Sequence, residues 1–411
     1  MAKFIIVNHY ATTPYLNGGT RHYDFAKELV SRGHDVTIIA SSFNHLSKTD
    51  HIIYEKNEFY RVELIDGVRL IWLKTAKYNN NAKRIVNIIS FYKNGMKLLN
   101  KDILTRPDIV IGSTVHFLGA QLGLNISRKY KCKFIFEERD FWPQTFIDFG
   151  KISKNNPITK LLYKYEKYFY SNAFLNIVLF EKAPDYLINR GVEKERILYL
   201  PNGFSKRMKF NNDLPKSIEK SLEGKSVVYI GSHGIANELD AIIDLAKNCK
   251  DISDLKFILI GNGPEKPRII KRVVDESIDN VIFHNPVPKN MVHVILKKST
   301  FSIISIKDSP LYNFGFSMNK LLDFIYAGNP IVMLIPKKLA NEFDIPGINC
   351  TLDLNNHKDF ILENLMDKSI NETNKQNIKE FSQNYDWSYL TDKFLSHPKI
   401  LNEVDKDAIK T

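Results

Sequence analysis

Short apolar runs alternate with longer amphipathic stretches along most of the chain. Lys3–Asn8 and Asp35–Ser41 read as strands and Gly19–Arg32 between them as a helix, a parallel β-α-β unit. Tyr60–Leu64 and Val68–Leu73 read as paired strands around the turn Asp66-Gly67. Lys83–Lys101 has the spacing of an amphipathic helix. Asp108–Gly112, Lys133–Glu138, Leu175–Leu179 and Arg196–Leu200 read as further strands, with an aromatic, basic helix over Pro157–Ser171. The turn triplet Pro201-Asn202-Gly203 closes this series, and residues 204–225 are polar and charged, as a linker is. The alternation restarts at Val227–Ile230, with a helix from Asn237 and strands at Leu255–Ile260, Val281–Phe283 and Phe301–Ile306. A strand near Cys350–Leu352 and helices over His357–Lys368, Glu372–Asn384 and Trp387–Leu395 complete the chain. Length and alternation together predict two α/β domains, each wound on a parallel sheet.

The stretch from Gly315 to Pro336 carries the densest candidate chemistry. Ser317 is placed to cap a short helix whose apolar face is Leu321, Leu322, Phe324 and Ile325. Gly328 fits a left-handed C-cap, Pro330 ends the helix, and Ile331–Ile335 reads as a strand buried on both faces. Lys320 and Asp323 lie three apart near the helix N-terminus. That end of a helix favours phosphate; a lysine adds charge, and an aspartate one turn on accepts ribose hydroxyls. The alternative is a solvated Lys320–Asp323 pair.

Charge and cysteine content narrow the class. The net charge of +12 is uneven: residues 1–200 hold 30 Lys/Arg against 19 Asp/Glu, residues 201–411 hold 28 against 27. A basic first half calls for an anionic partner, and the absence of any helix-turn-helix, RNA-binding signature or zinc spacing argues against nucleic acid. Three scattered cysteines (Cys132, Cys249, Cys350) suit a reducing cytoplasm. No apolar run has membrane-spanning length, and Phe4–Val7 is too short for a signal peptide. The basic amphipathic stretch Lys83–Lys101 suits either attachment to an anionic membrane surface or a helix that covers the sheet.

Several motifs in order resemble family 4 retaining glycosyltransferases of the GT-B fold. Gly18-Gly19-Thr20-Arg21-His22-Tyr23-Asp24 and Arg32-Gly33-His34-Asp35-Val36 resemble the family's N-terminal signature. With Ser41-Ser42-Phe43-Asn44-His45-Leu46 and Glu137-Glu138-Arg139-Asp140-Phe141-Trp142-Pro143, they are similar to a branch containing L-fucosamine transferase-like enzymes of bacterial O-antigen assembly. Ser317, Asn319, Lys320 and Asp323, followed by Ala327-Gly328-Asn329-Pro330, resemble the donor motif of that family. Its first acid falls on Gly315, and the second is Asp323 rather than glutamate. Gly261-Asn262-Gly263-Pro264-Glu265 resembles the family's Gly-x-Gly-Pro-Glu turn, and Val281-Ile282-Phe283 leading to Pro286-Val287-Pro288 resembles the segment that flanks the nucleotide base.

The resemblance implies two facing Rossmann-like domains with a cleft between them: an acceptor domain over 1–203 and a nucleotide-sugar domain over 226–384. Residues 385–411, with Tyr385-Asp386-Trp387-Ser388, are then a helix crossing back to the first domain. It implies transfer of a sugar, with retention, from a nucleotide sugar (a UDP-sugar) to a lipid-linked, polyprenyl diphosphate glycan in surface polysaccharide synthesis, at the inner face of the cytoplasmic membrane. His116 falls at the carboxyl end of a strand, where ligands bind in open parallel sheets. His116, Lys320 and Asp140 are the implied catalytic residues. Gly18, Gly19, Gly231, Ser232, His233, Gly263, Phe283, Gly315, Phe316, Ser317, Asn319, Lys320 and Asp323 are the implied donor contacts, and Arg21, Arg139 and Asp140 the acceptor contacts. The arginine and lysine usual after the first strand of the donor domain are missing, so His233, loop N–H groups and Lys320 must replace them. No cofactor or metal is implied, and the one Asp-x-Asp, Asp405-Lys406-Asp407, lies in the tail. A nucleotide-sugar 2-epimerase of the same fold and a non-catalytic nucleotide- or glycan-binding relative are the alternatives.

Overall fold

The computed structural model describes residues 1–16, 18–148, 152–206, 211–307, 312, 314–340 and 343–404. Compact units form over Met1–Ser205 with Trp387–Thr411, and over Lys206–Asp386. The first begins with β1 (Lys3–Val7), α1 (Arg21–Ser31) and β2 (Asp35–Ser41), then a small hairpin of β3 (Phe43–Asn44) and β4 (Thr49–Asp50). β5 (Tyr60–Ile65), β6 (Val68–Leu73), α2 (Asn81–Asn100), β7 (Ile109–Ser113), α3 (Phe117–Tyr130) and β8 (Lys133–Glu138) follow. α4 (Gln144–Asp148), α5 (Pro157–Asn172), β9 (Leu175–Val178), α6 (Ala183–Ile188) and β10 (Ile197–Tyr199) end this half.

These strands make an eight-stranded sheet in the order β10-β9-β8-β7-β1-β2-β6-β5, parallel except for the β5–β6 pair. Its central strands β1, β2 and β7 are mostly apolar and buried at every position after exposed Lys3 and Asp35, because helices cover both faces. Local chemistry sets the helix starts. Asn80 accepts the N–H of Lys83 at the head of α2, and Asn156 accepts that of Ile158 beside Pro157 at α5.

The second unit runs α7 (Lys216–Leu222), β11 (Lys225–Ile230), α8 (Leu239–Asn248), β12 (Leu255–Ile260), α9 (Lys266–Asp275) and β13 (Val281–His284). It continues with α10 (Lys289–Lys298), β14 (Phe301–Ser305), α11 (Asn319–Ala327), β15 (Ile331–Leu334), β16 (Ile348–Thr351), α12 (Leu354–Met366) and α13 (Lys368–Ser382). Its six strands are all parallel, in the order β13-β12-β11-β14-β15-β16. The segment expected to be an irregular linker is helical in part. α7 buries Ile218 and Leu222, and burial of that apolar pair outweighs the polar composition around it.

The chain returns to the first unit through α14 (Trp387–Leu395) and α15 (Pro398–Val404). Trp387, Leu390, Phe394 and Ile400 are buried in the same cluster as Phe4, Phe25 and Leu29. Phe394 meets Phe25 edge-on at 5.0 Å.

Candidate functional site

Both sheets bring candidate residues to the carboxyl ends of their strands, one set in each unit. In the first unit β7 ends at Ser113, and His116 caps α3 rather than sitting in an open loop. It adopts an extended backbone, and its Nδ1 accepts the Gly119 N–H at 3.2 Å. Its Nε2 lies 2.7 Å from Nδ1 of His9, a fully buried residue two beyond the end of β1. Burial pushes the His116 imidazole down to about 4, and nearby Arg84 pushes the same way. Both effects keep the ring neutral.

Arg21 corrects the expectation of an acceptor contact. It is buried, and its guanidinium is spent on the protein: Nε to Glu137 Oε1 at 2.9 Å, Nη2 to Leu200 O at 2.9 Å, Nη1 to Pro201 O at 2.5 Å. It ties the end of β8 to the turn after β10. Glu137 also binds His22 Nε2 at 2.6 Å and accepts the Ser113 hydroxyl. Burial alone raises a carboxyl, but Arg21 and then His22 outweigh it and hold Glu137 well below the usual range.

Arg139 and Asp140 emerge just beyond β8, Arg139 half-buried and Asp140 exposed. The Arg139 N–H donates to Thr114 Oγ1 at 2.9 Å, while its Nε is buried without a hydrogen-bond partner. Of the acceptor contacts expected from sequence, these two are the ones open to a ligand. Gly18 sits at a φ of +137°, a conformation L side chains rarely adopt, and an added Cβ there would approach Thr12 to 2.9 Å. Gly19 beside it is exposed.

In the second unit the loop after β11 folds over the loop after β12. Positive φ and contact explain its glycines. A Cβ on Gly261 (φ +155°) would fall 1.9 Å from Gly231 O, and one on Gly263 would fall 2.4 Å from His233 O. The His233 N–H donates to Asn262 O at 2.9 Å, but both ring nitrogens are buried with no partner. Burial first, then Lys266 and Lys320, push its imidazole down to about 4. Phe283, half-buried on β13, lies 6.4 Å from this ring.

Lys320 stands in the first turn of α11. Its Nζ donates to Tyr229 Oη at 3.2 Å and to Asn237 Oδ1, and burial pushes its ammonium down to about 8. Tyr229 also donates to Ser232 O at 2.7 Å, so lysine, tyrosine and glycine loop form one connected group. Asp323 does not pair with Lys320; Lys289 at the start of α10 holds both its carboxylate oxygens. Ser317 is not the N-cap of α11. Met318 takes that position and makes no side-chain cap bond to the first N–H groups of the helix. Phe316 is buried against Phe343, with rings 5.3 Å apart, so its side chain belongs to the core. Gly315 is buried at a φ of +96°, and Asn319 is exposed.

Sequence reasoning missed His9, Tyr229, Asn237 and Lys289. Each reaches its site from an element whose own pattern carries no motif. Among the described residues no group of three or more His, Cys, Asp or Glu clusters as for a metal ion, and Asp405 and Asp407 lie outside those residues.

Residues 17–206 match the model of a family described as Glycosyltransferase Family 4. A comparison with curated protein sequences finds no match. Among solved structures, the chain is similar to sucrose-phosphate synthase from Thermosynechococcus elongatus, with 14% identity over 100% of both chains and a TM-score of 0.69. It is also similar to Anabaena HepE in complex with UDP-glucose, with 13% identity over 96% of this chain and 98% of that one and a TM-score of 0.62. A third likeness is to WaaG, a glycosyltransferase involved in lipopolysaccharide biosynthesis, with 13% identity, 95% and 98% coverage and a TM-score of 0.58. These likenesses show the fold, which is GT-B.

Proposed function

We propose that this chain is a family 4 glycosyltransferase that moves a sugar, with retention, from a UDP-sugar to a lipid-linked glycan. The observation that carries the reading is the cradle of the second unit. An unpartnered buried imidazole, a glycine loop and a lysine in the first turn of a helix converge at the carboxyl ends of β11 and β12. Such a group suits a diphosphate: helix N–H groups and a cation stabilise the charge that grows on it as the sugar leaves. The family match over the first unit supports the same reading, as does a fold neighbour that holds UDP-glucose.

In this reading residues 226–384 hold the donor. His233 and the Gly231–Ser232 and Gly263 backbone approach the diphosphate with Lys320, Asn319 and Ser317, while Asp323 takes the ribose hydroxyls and Phe283 flanks the base. Residues 1–203 hold the acceptor, with Arg139 on its diphosphate, Asp140 on its hydroxyl and His116 beside the reacting sugar. The basic first half suits a polyprenyl diphosphate acceptor at the inner membrane face, in assembly of a surface polysaccharide such as O-antigen.

The test is calorimetric titration of UDP and UDP-sugars, followed by transfer to a lipid-linked acceptor. Asp323→Ala is expected to weaken UDP binding by about 1–3 kcal/mol, the scale of hydrogen bonds to a charged group. Lys320→Ala is expected to lower turnover more than UDP affinity, because the interaction strengthens in the transition state. Unchanged UDP affinity in Asp323→Ala, or epimerised donor without any acceptor, overturns the reading.

A further inference from the structure

His9 has no place in the reading above, yet it is among the most enclosed polar side chains of the first unit. It is fully buried, its ring stacks on Phe91 (4.3 Å, 10°) and meets the His116 ring edge-on (4.9 Å, 84°). The hydrogen bonds around this pair favour one arrangement of protons, with the Gly119 N–H shared between His116 Nδ1 and His116 O at 3.3 Å. The Gly119 N–H donates to His116 Nδ1, so that nitrogen carries a lone pair. A neutral His116 then bears its proton on Nε2, which donates to His9 Nδ1 at 2.7 Å. A neutral His9 in turn bears its proton on Nε2, which is buried without a hydrogen-bond partner. The nearby Asn87 side chain is anchored by its own Nδ2 to Thr75 Oγ1 at 2.9 Å and Ala76 O at 2.6 Å.

We propose that His9 is a positioning residue: its hydrogen bond to His116 locks that ring as the Nε2–H tautomer and holds the turn from Ser113 to Gly119 in its working shape. The proposal rests on the glycosyltransferase reading only for what the turn works on. Both ring nitrogens of His116 are committed within the protein, so His116 acts as a fixed wall and not as a general base. The groups that face the pair are Arg84 from α2, Tyr10 from the loop after β1 and His45 from the turn after β3. Arg84 and His45 disfavour a second positive charge on His9.

The experiment uses full-length protein with 15N-labelled histidine, and long-range 1H–15N correlation to read each tautomer. His116 is expected to stay neutral, with its proton on Nε2, between about pH 5 and 8. His9→Asn keeps an acceptor near the position of Nδ1, and His9→Leu removes it. His9→Leu is expected to release the tautomer preference and to lower kcat about tenfold to a hundredfold at unchanged donor KM, the scale of a misplaced site. His9→Asn is expected to preserve both. A His116 proton on Nδ1, titration of His116 within that pH range, or equal effects of the two variants overturns the proposal. If His9→Leu fails to fold, the wild-type tautomer still decides. Release of the tautomer in His9→Leu without transfer by any form refutes the glycosyltransferase reading and leaves the His9–His116 lock standing.

Discussion

At the scale of single residues, burial and bonding decide which charged groups are spent within the protein and which keep a nitrogen unpartnered. Arg21 opens α1 and Arg139 follows the end of β8, both in a basic half, and by sequence both suit an anion. Only the structure shows that Arg21 closes on Glu137 and two backbone carbonyls, while Arg139 keeps a nitrogen unpartnered. Glu137→Gln is expected to destabilise the protein by about 3–5 kcal/mol in urea denaturation, because it strands a buried guanidinium. Its pH behaviour has a defined sign. The folded carboxyl lies below its ordinary 4.5, so its contribution is present above pH 4.5 and lost as pH falls through the folded value. The acid limb of a melting-temperature profile is therefore expected to be flatter in Glu137→Gln than in wild type. A parallel limb would mean the charge is not engaged.

At the scale of elements, α2 carries exposed apolar and basic residues in succession along one face, Ile85 and Ile89 followed at the same spacing by Lys93, Lys97 and Lys101. Lys93, Lys97 and Lys101 are the natural sequence choice for a basic face. In the structure Lys97 lies over the Phe59 ring at 4.1 Å and Lys101 at 5.7 Å. The exposed apolar stripe is Ile85, Val86 and Ile89, beside exposed Lys83 and Lys93. If α2 lies on a bilayer, Ile85→Glu with Ile89→Glu abolishes co-sedimentation with anionic vesicles. Lys83→Glu with Lys93→Glu weakens it by roughly 1 kcal/mol per residue, in a salt-sensitive way. Wild-type binding indifferent to lipid charge and salt would exclude that mechanism. α14 and α15 offer a second test. Truncation at Asp386 removes four buried apolar side chains from the first unit, each stabilising by about 1.5–3 kcal/mol. The sum approaches the whole stability of a domain, so the truncated chain is expected to lose the near-UV signal of that unit.

At the scale of the whole molecule, neutral buried histidines set the acid limit of stability. His116, His233 and His293 are pushed down to about 4 by burial, and His9 and His22 are lowered by it as well. Below pH 6.5 the unfolded chain binds protons that the folded one refuses. Stability is thus full above 6.5 and falls as pH drops toward 4, by at most about 1.4 kcal/mol per pH unit for each histidine. Calorimetric melting across that range is expected to show a steep fall well before the carboxylates titrate. A flat profile to pH 5 would mean that these rings protonate without cost. The same division separates what sequence determined from what it did not. Runs such as Ile5–Val7 and Ile331–Leu334 determined the parallel sheets, because a strand buried on both faces has no polar positions to alternate with. Glycines near Gly231 and Gly263 marked the loops, because close backbone approach excludes a Cβ. Partners were decided by tertiary structure alone: Lys289 on Asp323, Tyr229 and Asn237 on Lys320, His9 on His116. Each pairing joins residues from 34 to 107 positions apart, brought together by packing that no local pattern records.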